Sequence, residues 1–336
     1  MTLTQAAILT KQSILLITIL LFFGIGGFIG YQVWHTNYLK TLPPVEEKPN
    51  TSWGILPTPT FPISNVSSSN FIYSLDTATG NLPKVGKDKG FSKIVKVYFI
   101  TKPYASLLSS EKSQELAGKF GINSPPQILS DTEYRFTQEQ KTLDINLDSG
   151  NFIYKNEASK SAEEKLDEES KLTADFEQTL TTLGVLNQDL KIGKKEVKLL
   201  KSDAKAAEIS LWLENIDSKP ILTPEFNKSL INAVVSKNAN DLKNYLSLEF
   251  IYWPIDLTTS STYPLKDSQV AFDDLRSGKG IIIIEPSHPQ VSITSVYLAY
   301  FLPKDYSPYL EPIYVFEGPQ FVAYVGAIDN QFIKTD

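Results

Sequence analysis

The chain has no cysteine, two histidines, two arginines and one methionine in 336 residues. Without cysteine there are no disulfides, no thiolate nucleophile, no zinc–cysteine site and no lipid-modified N-terminal cysteine. His35 and His288 stand alone, with no second histidine at metal-ligand spacing. No G-x-S-x-G elbow supplies a serine to a Ser-His-Asp arrangement. The near absence of arginine removes the planar fork that favours phosphate recognition. The net charge of −6 excludes nucleic acid as a partner for the bulk of the chain. A cysteine-free chain of this size fits an exported bacterial protein better than a eukaryotic secreted one.

Against these absences stand 42% hydrophobic and 21% charged residues, the composition of a folded protein. Residues 13–34, SILLITILLFFGIGGFIGYQVW, carry no charge. A helix needs about 20 apolar residues to cross the hydrocarbon layer. Tyr31, Trp34 and Tyr38 follow as an aromatic belt, and no small-x-small cleavage site comes after them. The expectation is a retained single-pass transmembrane helix. Residues 1–12 would be cytoplasmic, the body extracytoplasmic, and membrane lipid a partner. Gly26 and Gly30 form a G-x-x-x-G pair that suits helix–helix packing and a homodimer through that helix.

Residues 35–70 are rich in Pro, Ser and Thr and read as a spacer. Trp53, Ile55, Leu56, Phe61 and Ile63 are apolar enough for part of it to pack on the body. Beyond it the pattern predicts three α+β modules, 71–157, 158–256 and 257–336. Each is an antiparallel sheet covered by a helix. Helices are expected near 106–120, at 161–183 and from an Asp267 N-cap to Ser277. Gly121, Gly184 and Gly278 are placed to stop them. Asp148-Ser149-Gly150-Asn151 makes a hairpin turn. The four isoleucines 281–284 suit a strand buried on both faces, and Pro312 places its strand at an edge or bulge.

The helix, strand, hairpin and strand order over 106–155, ending KTLDINLDSGNFIYK with Asp148, Ser149 and Gly150 at the turn, resembles the PepSY-type module. The C-terminal stretches YPLKDSQVAFDDLRSGKG, VYLAYFLP, YLEPIYVFEG and FVAYVGAID resemble the C-terminal module of Yyc-type two-component regulatory proteins. The resemblance implies a membrane-anchored, extracytoplasmic and non-catalytic role. Such proteins modulate a membrane kinase, a protease or cell-wall metabolism by protein contact. The families offer no catalytic residue to match.

Chemistry-bearing motifs are few. Ser109-Ser110-Glu111-Lys112 and Ser202-Asp203-Ala204-Lys205 fit S-x-x-K, but no K-T-G strand supports them. Adjacent Asp273 and Asp274 on a helix point apart and make no dyad. The acidic run 163–169 lacks a calcium loop. Gly86 to Gly90 lacks the phosphate-loop lysine pattern. Tyr306 and Tyr309, in the loop PKDYSPYLEP, are the candidates for an exposed recognition patch. No catalytic, cofactor-binding or metal residue is assigned. The expected function is binding or regulation in the bacterial envelope, through an envelope protein or a cell-wall component. The alternatives are a carboxylate-dependent envelope hydrolase and a protease-inhibitory module.

Overall fold

The computed structural model describes residues 20–36, 38, 48–86, 90–107, 109–157, 166–200 and 206–334. The chain divides into two units, Met1–Lys48 and Pro49–Asp336.

In the first unit, residues 20–36 are helical (α1). The helix closes on polar Gln32, His35 and Thr36, and the Thr36 hydroxyl donates back to the Gln32 carbonyl at 2.7 Å. Among the described residues no helix is long and apolar enough to cross a membrane. This overturns the single-pass anchor read from residues 13–34, and with it the membrane, extracytoplasmic and envelope assignments. Residues 13–19 lie outside the described residues.

The second unit is mostly sheet. Strands β3 (Gln127–Ile128), β4 (Glu133–Gln138), β5 (Lys141–Asn146), β6 (Phe152–Asn156), β7 (Lys194–Leu199), β8 (Ala207–Trp212), β10 (Ile231–Val235) and β11 (Tyr245–Phe250) build an eight-stranded sheet. Its order is β3-β4-β5-β6-β11-β10-β8-β7, antiparallel throughout. Alternation sends Phe136, Leu143, Ile145, Phe152 and Tyr154 to one buried face. That face meets helix α2 (Ser109–Lys119) and helix α3 (Glu169–Leu183), which contributes Leu172, Phe176, Leu180 and Leu183. Gly184 closes α3 at φ +82°, as its position foretold.

The other sheet runs β12 (Ile255–Pro264), β2 (Ile94–Ile100), β16 (Tyr309–Gly318), β15 (Ser295–Phe301) and β9 (Ile221–Leu222), with β17 (Phe321–Gly326) on β16 and β13 (Ile281–Ile284) on β17. The expectation of antiparallel sheets each covered by a helix is corrected here. Strand β15 pairs with β9 in parallel, and β1 (Ile72–Leu75) and β14 (Gln290–Ile293) form a separate two-stranded parallel sheet. Short helix α4 (Ser268–Arg276) reaches β17. In the segment from residue 49 onward Leu56 is fully buried, Trp53 stacks on Tyr309 at 5.0 Å, and the Phe61 ring lies tilted against Phe301 at 5.0 Å. Ile55 and Ile63 stay exposed.

Two strand expectations change. Strand β13 has one neighbour, and of its four isoleucines only Ile282 is buried. Pro312 sits in a central strand, at the point where β16 passes from β2 (paired at Tyr309 and Leu310) to β17 (paired from Ile313). The missing N–H falls in that gap and breaks no ladder on that side.

Next to Pro312, Glu311 is 2% exposed and both carboxylate oxygens lack a hydrogen-bond partner. Burial pushes its carboxyl up to about 8 from the ordinary 4.5. The folded chain therefore holds this proton over a range where the unfolded chain has released it. Stability is highest below the unfolded pKa and is lost as pH rises from 4.5 through about 8. At ~1.4 kcal/mol per unit this is on the order of 5 kcal/mol. Urea unfolding is predicted to show a loss of that order between pH 5 and pH 8.5, and Glu311→Gln to flatten this part of the profile.

Candidate functional site

Three cores fill the second unit beside the eight-stranded sheet's own, and one of them joins the two sheets. It holds Tyr98, Ile100, Ile221, Leu230, Ile251, Trp253, Tyr300, Leu302 and Leu310. The two sheets meet through these side chains because the chain leaves β11 as Ile251-Tyr252-Trp253 and passes directly into β12. The Tyr98 hydroxyl donates to Asp217 Oδ2 at 2.8 Å, and the Tyr300 hydroxyl reaches the same oxygen at 3.3 Å. Asp217 and Ser218 hold φ of +49° and +61° in the tight turn between β8 and β9. The tyrosines tie that strained turn to the second sheet.

Over this seam lies a cleft of about 520 Å³. One wall comes from β4, β5, β6 and the turn after β5. The other is the connection from β15 to β16, with Lys304, Asp305 and Tyr306. That connection is fixed at several points. Trp253 Nε1 donates to the Lys304 carbonyl at 3.2 Å, the Tyr306 hydroxyl donates to the Ile100 carbonyl at 3.1 Å, and Lys304 Nζ donates to Glu249 Oε1 at 2.5 Å. The Trp253 and Tyr306 rings meet edge to face at 5.5 Å. Burial alone would push the Glu249 carboxyl up, but the hydrogen bond and charge of Lys304, with Asn232 and Lys228, hold it below its ordinary value.

The floor is polar and internally braced. Arg135 grips Asp144 across β4 and β5 with two bonds, 2.6 and 2.9 Å. Asp148 accepts from the Ala105 amide at 3.0 Å, which draws the segment after β2 against the hairpin turn. Asn151 accepts from the Tyr252 amide at 3.0 Å, tying β6 to the seam. At the rim Leu129 is 45% and Tyr104 76% exposed. Lys102 lies against both Tyr104 and Tyr306, 5.7 and 5.5 Å from their ring centroids. Among the described residues, no group of three His, Asp or Glu side chains could hold a metal ion.

Of the residues singled out in the sequence, Tyr306 lines this cleft. Tyr309 lies elsewhere, at the start of β16, with its ring on Trp53. Gly26 and Gly30 are on α1, where an added Cβ would meet nothing within 4 Å. Ser109 begins α2 and accepts from the Ser106 amide at 2.8 Å. Ser202 and Lys205 lie outside the described residues, as do residues 87–89 and 163–165. Asp273 is exposed, whereas Asp274 is buried between Lys266 at 2.9 Å and Lys279 at 3.0 Å, so the adjacent pair does point apart. His288 lies exposed before β14. Sequence reasoning missed Lys102, Arg135, Asp144 and Trp253 as neighbours. The one local signal was the alternation placing Arg135 and Asp144 on the same outward face of a hairpin.

No protein-family model matches the chain, and no curated protein matches it. Two solved structures are similar in part. One is an uncharacterized protein from Eubacterium rectale, 12% identical, covering 75% of this chain and 86% of its own, at a TM-score of 0.32. The other is the C-terminal domain of Bacillus megaterium YpeB, 10% identical, covering 69% of this chain and 96% of its own, at a TM-score of 0.29. Likeness at this level carries no argument about function.

Removing the ring that joins wall to seam is expected to cost about 3–5 kcal/mol, the range for truncating a buried aromatic. Trp253→Ala is therefore predicted to lower the urea midpoint strongly, while Tyr104→Ala, at an exposed position, leaves it within about 0.5 kcal/mol of the parent.

Proposed function

We propose that the chain is a non-catalytic binding module whose cleft receives an extended segment of a partner polypeptide. The observation that carries this reading is the cleft itself. It has a volume of about 520 Å³, within the range of ligand sites, and combines an aromatic wall with a polar floor. Its bracing supports a preformed receptor: Arg135 and Asp144 hold each other, and Asp148 is engaged by a backbone amide. A preformed site loses less ordering entropy on binding. Asp144 and Asp148 are thereby committed to positioning, which favours binding over acid–base work. The lining mixes both charge signs with the Asn146 and Asn151 amides, a set that matches the donors and acceptors of a peptide backbone.

Selection of random peptides on the full chain tests this. Thr132 lines the cleft, and Thr132→Trp would fill it. Selected peptides are predicted to lose at least about tenfold in affinity for Thr132→Trp, a change of ~1.4 kcal/mol. Peptides that bind the filled variant as well as the parent would place the binding surface elsewhere and overturn the reading.

A further inference from the structure

At the mouth of the cleft the chain's own Lys102 ammonium sits against two tyrosine rings, 5.7 Å from the Tyr104 centroid and 5.5 Å from the Tyr306 centroid. These rings are the partners of that ammonium among the described residues, and no carboxylate pairs with it. A lysine surrounded by aspartate and glutamate would ordinarily find one of them. Asp148 accepts from the Ala105 amide, Asp144 is taken by Arg135, and Glu133 and Asp305 remain on the lining without an ion pair. A third ring, Trp253, backs Tyr306 edge-on and fixes its plane.

Two aromatic faces converging on one cation, in a cleft whose lining also carries Glu133 and Asp305, form a receptor for an ammonium group. Lys102 is a weak resident. It lies on an exposed segment, its stem is flexible and its charge stays hydrated. Tyr104 is 76% exposed, whereas Tyr306 is held by its bond to Ile100.

We propose that Tyr104 and Tyr306 form a cage that binds a lysine ammonium of the partner segment, and that Lys102 occupies this cage in the unbound protein and is displaced on binding. This rests on the peptide-binding reading and names the side chain that the cleft selects. Lys102 then acts as a built-in competitor, lowering affinity both by filling the cage and by like-charge repulsion.

The test uses the full chain and two probes: the peptide acetyl-Gly-Ser-Lys-Ser-Gly-amide, and the same peptide acetylated on the lysine side chain. Lys102→Met is expected to bind the lysine peptide about fivefold more tightly than the parent and to leave the acetylated peptide unchanged. Adding Tyr104→Ala, at an exposed position that the fold does not need, is expected to cancel the gain. Equal gains for both probes, no gain for either, or no binding of the lysine peptide by Lys102→Met would each overturn the cage. Peptides selected on the parent that are sensitive to Thr132→Trp but indifferent to lysine acetylation would overturn the cage alone. Loss of that sensitivity would overturn the cleft reading as well.

Discussion

The structure depends on the seam between its two sheets. Nine buried apolar residues from β2, β9, β15, β16 and the segments flanking β10, β11 and β15 form one small core there. Apolar side chains removed from water by both sheets at once resist separation, because parting the sheets would expose all of them together. The polar ties around the seam are directional. Asp217 receives two tyrosine hydroxyls, and the connection after β15 is held by Trp253, Ile100 and Glu249. The apolar core supplies the cohesion, and the hydrogen bonds select one relative placement of the walls.

The cleft follows from that placement. Its floor belongs to the eight-stranded sheet and its second wall to a connection of the other, so neither sheet alone makes it. The Arg135–Asp144 pair is exposed and adds little to stability. Its consequence is geometric: the two side chains are held in one arrangement beneath the aromatic wall. The buried, partnerless Glu311 is the converse case, a polar group whose burial costs stability in the centre of the second sheet. It neighbours the strand switch at Pro312, where β16 changes partner.

Much of the local structure was legible in the sequence. The apolar stripe of α3 and its stop at Gly184 were visible, as were the Asp267 cap and the hairpin at Gly150, because each depends on neighbours within a few residues. Strand β12 was not, since the polar run LTTSST has no apolar alternation and becomes a strand only by pairing with β2, far away in sequence. The isoleucine run suits a doubly buried strand in composition, and composition does not reveal which strand lies at an edge. The N-terminal apolar run is visible in composition, and among the described residues no helix is long and apolar enough to cross a membrane. The cleft was beyond reach, as its walls come from residues 102–103, 129–153, 251–253 and 304–306. Tyr306 stood out because an aromatic residue in a Pro-rich loop is conspicuous. Tyr309 carried the same local signal, yet its ring is on Trp53.

The central claim is that the seam holds both sheets in one arrangement, so that the cleft exists before any ligand arrives. The absence of native cysteine makes this directly measurable. Spin labels at Gln140→Cys, in the β4–β5 turn, and Ser295→Cys, exposed at the start of β15, report the distance between the two sheets that the seam joins. One narrow distance distribution, unchanged when a cleft-binding peptide is added, is the expected result. A broad or two-peaked distribution in the free protein would contradict the account.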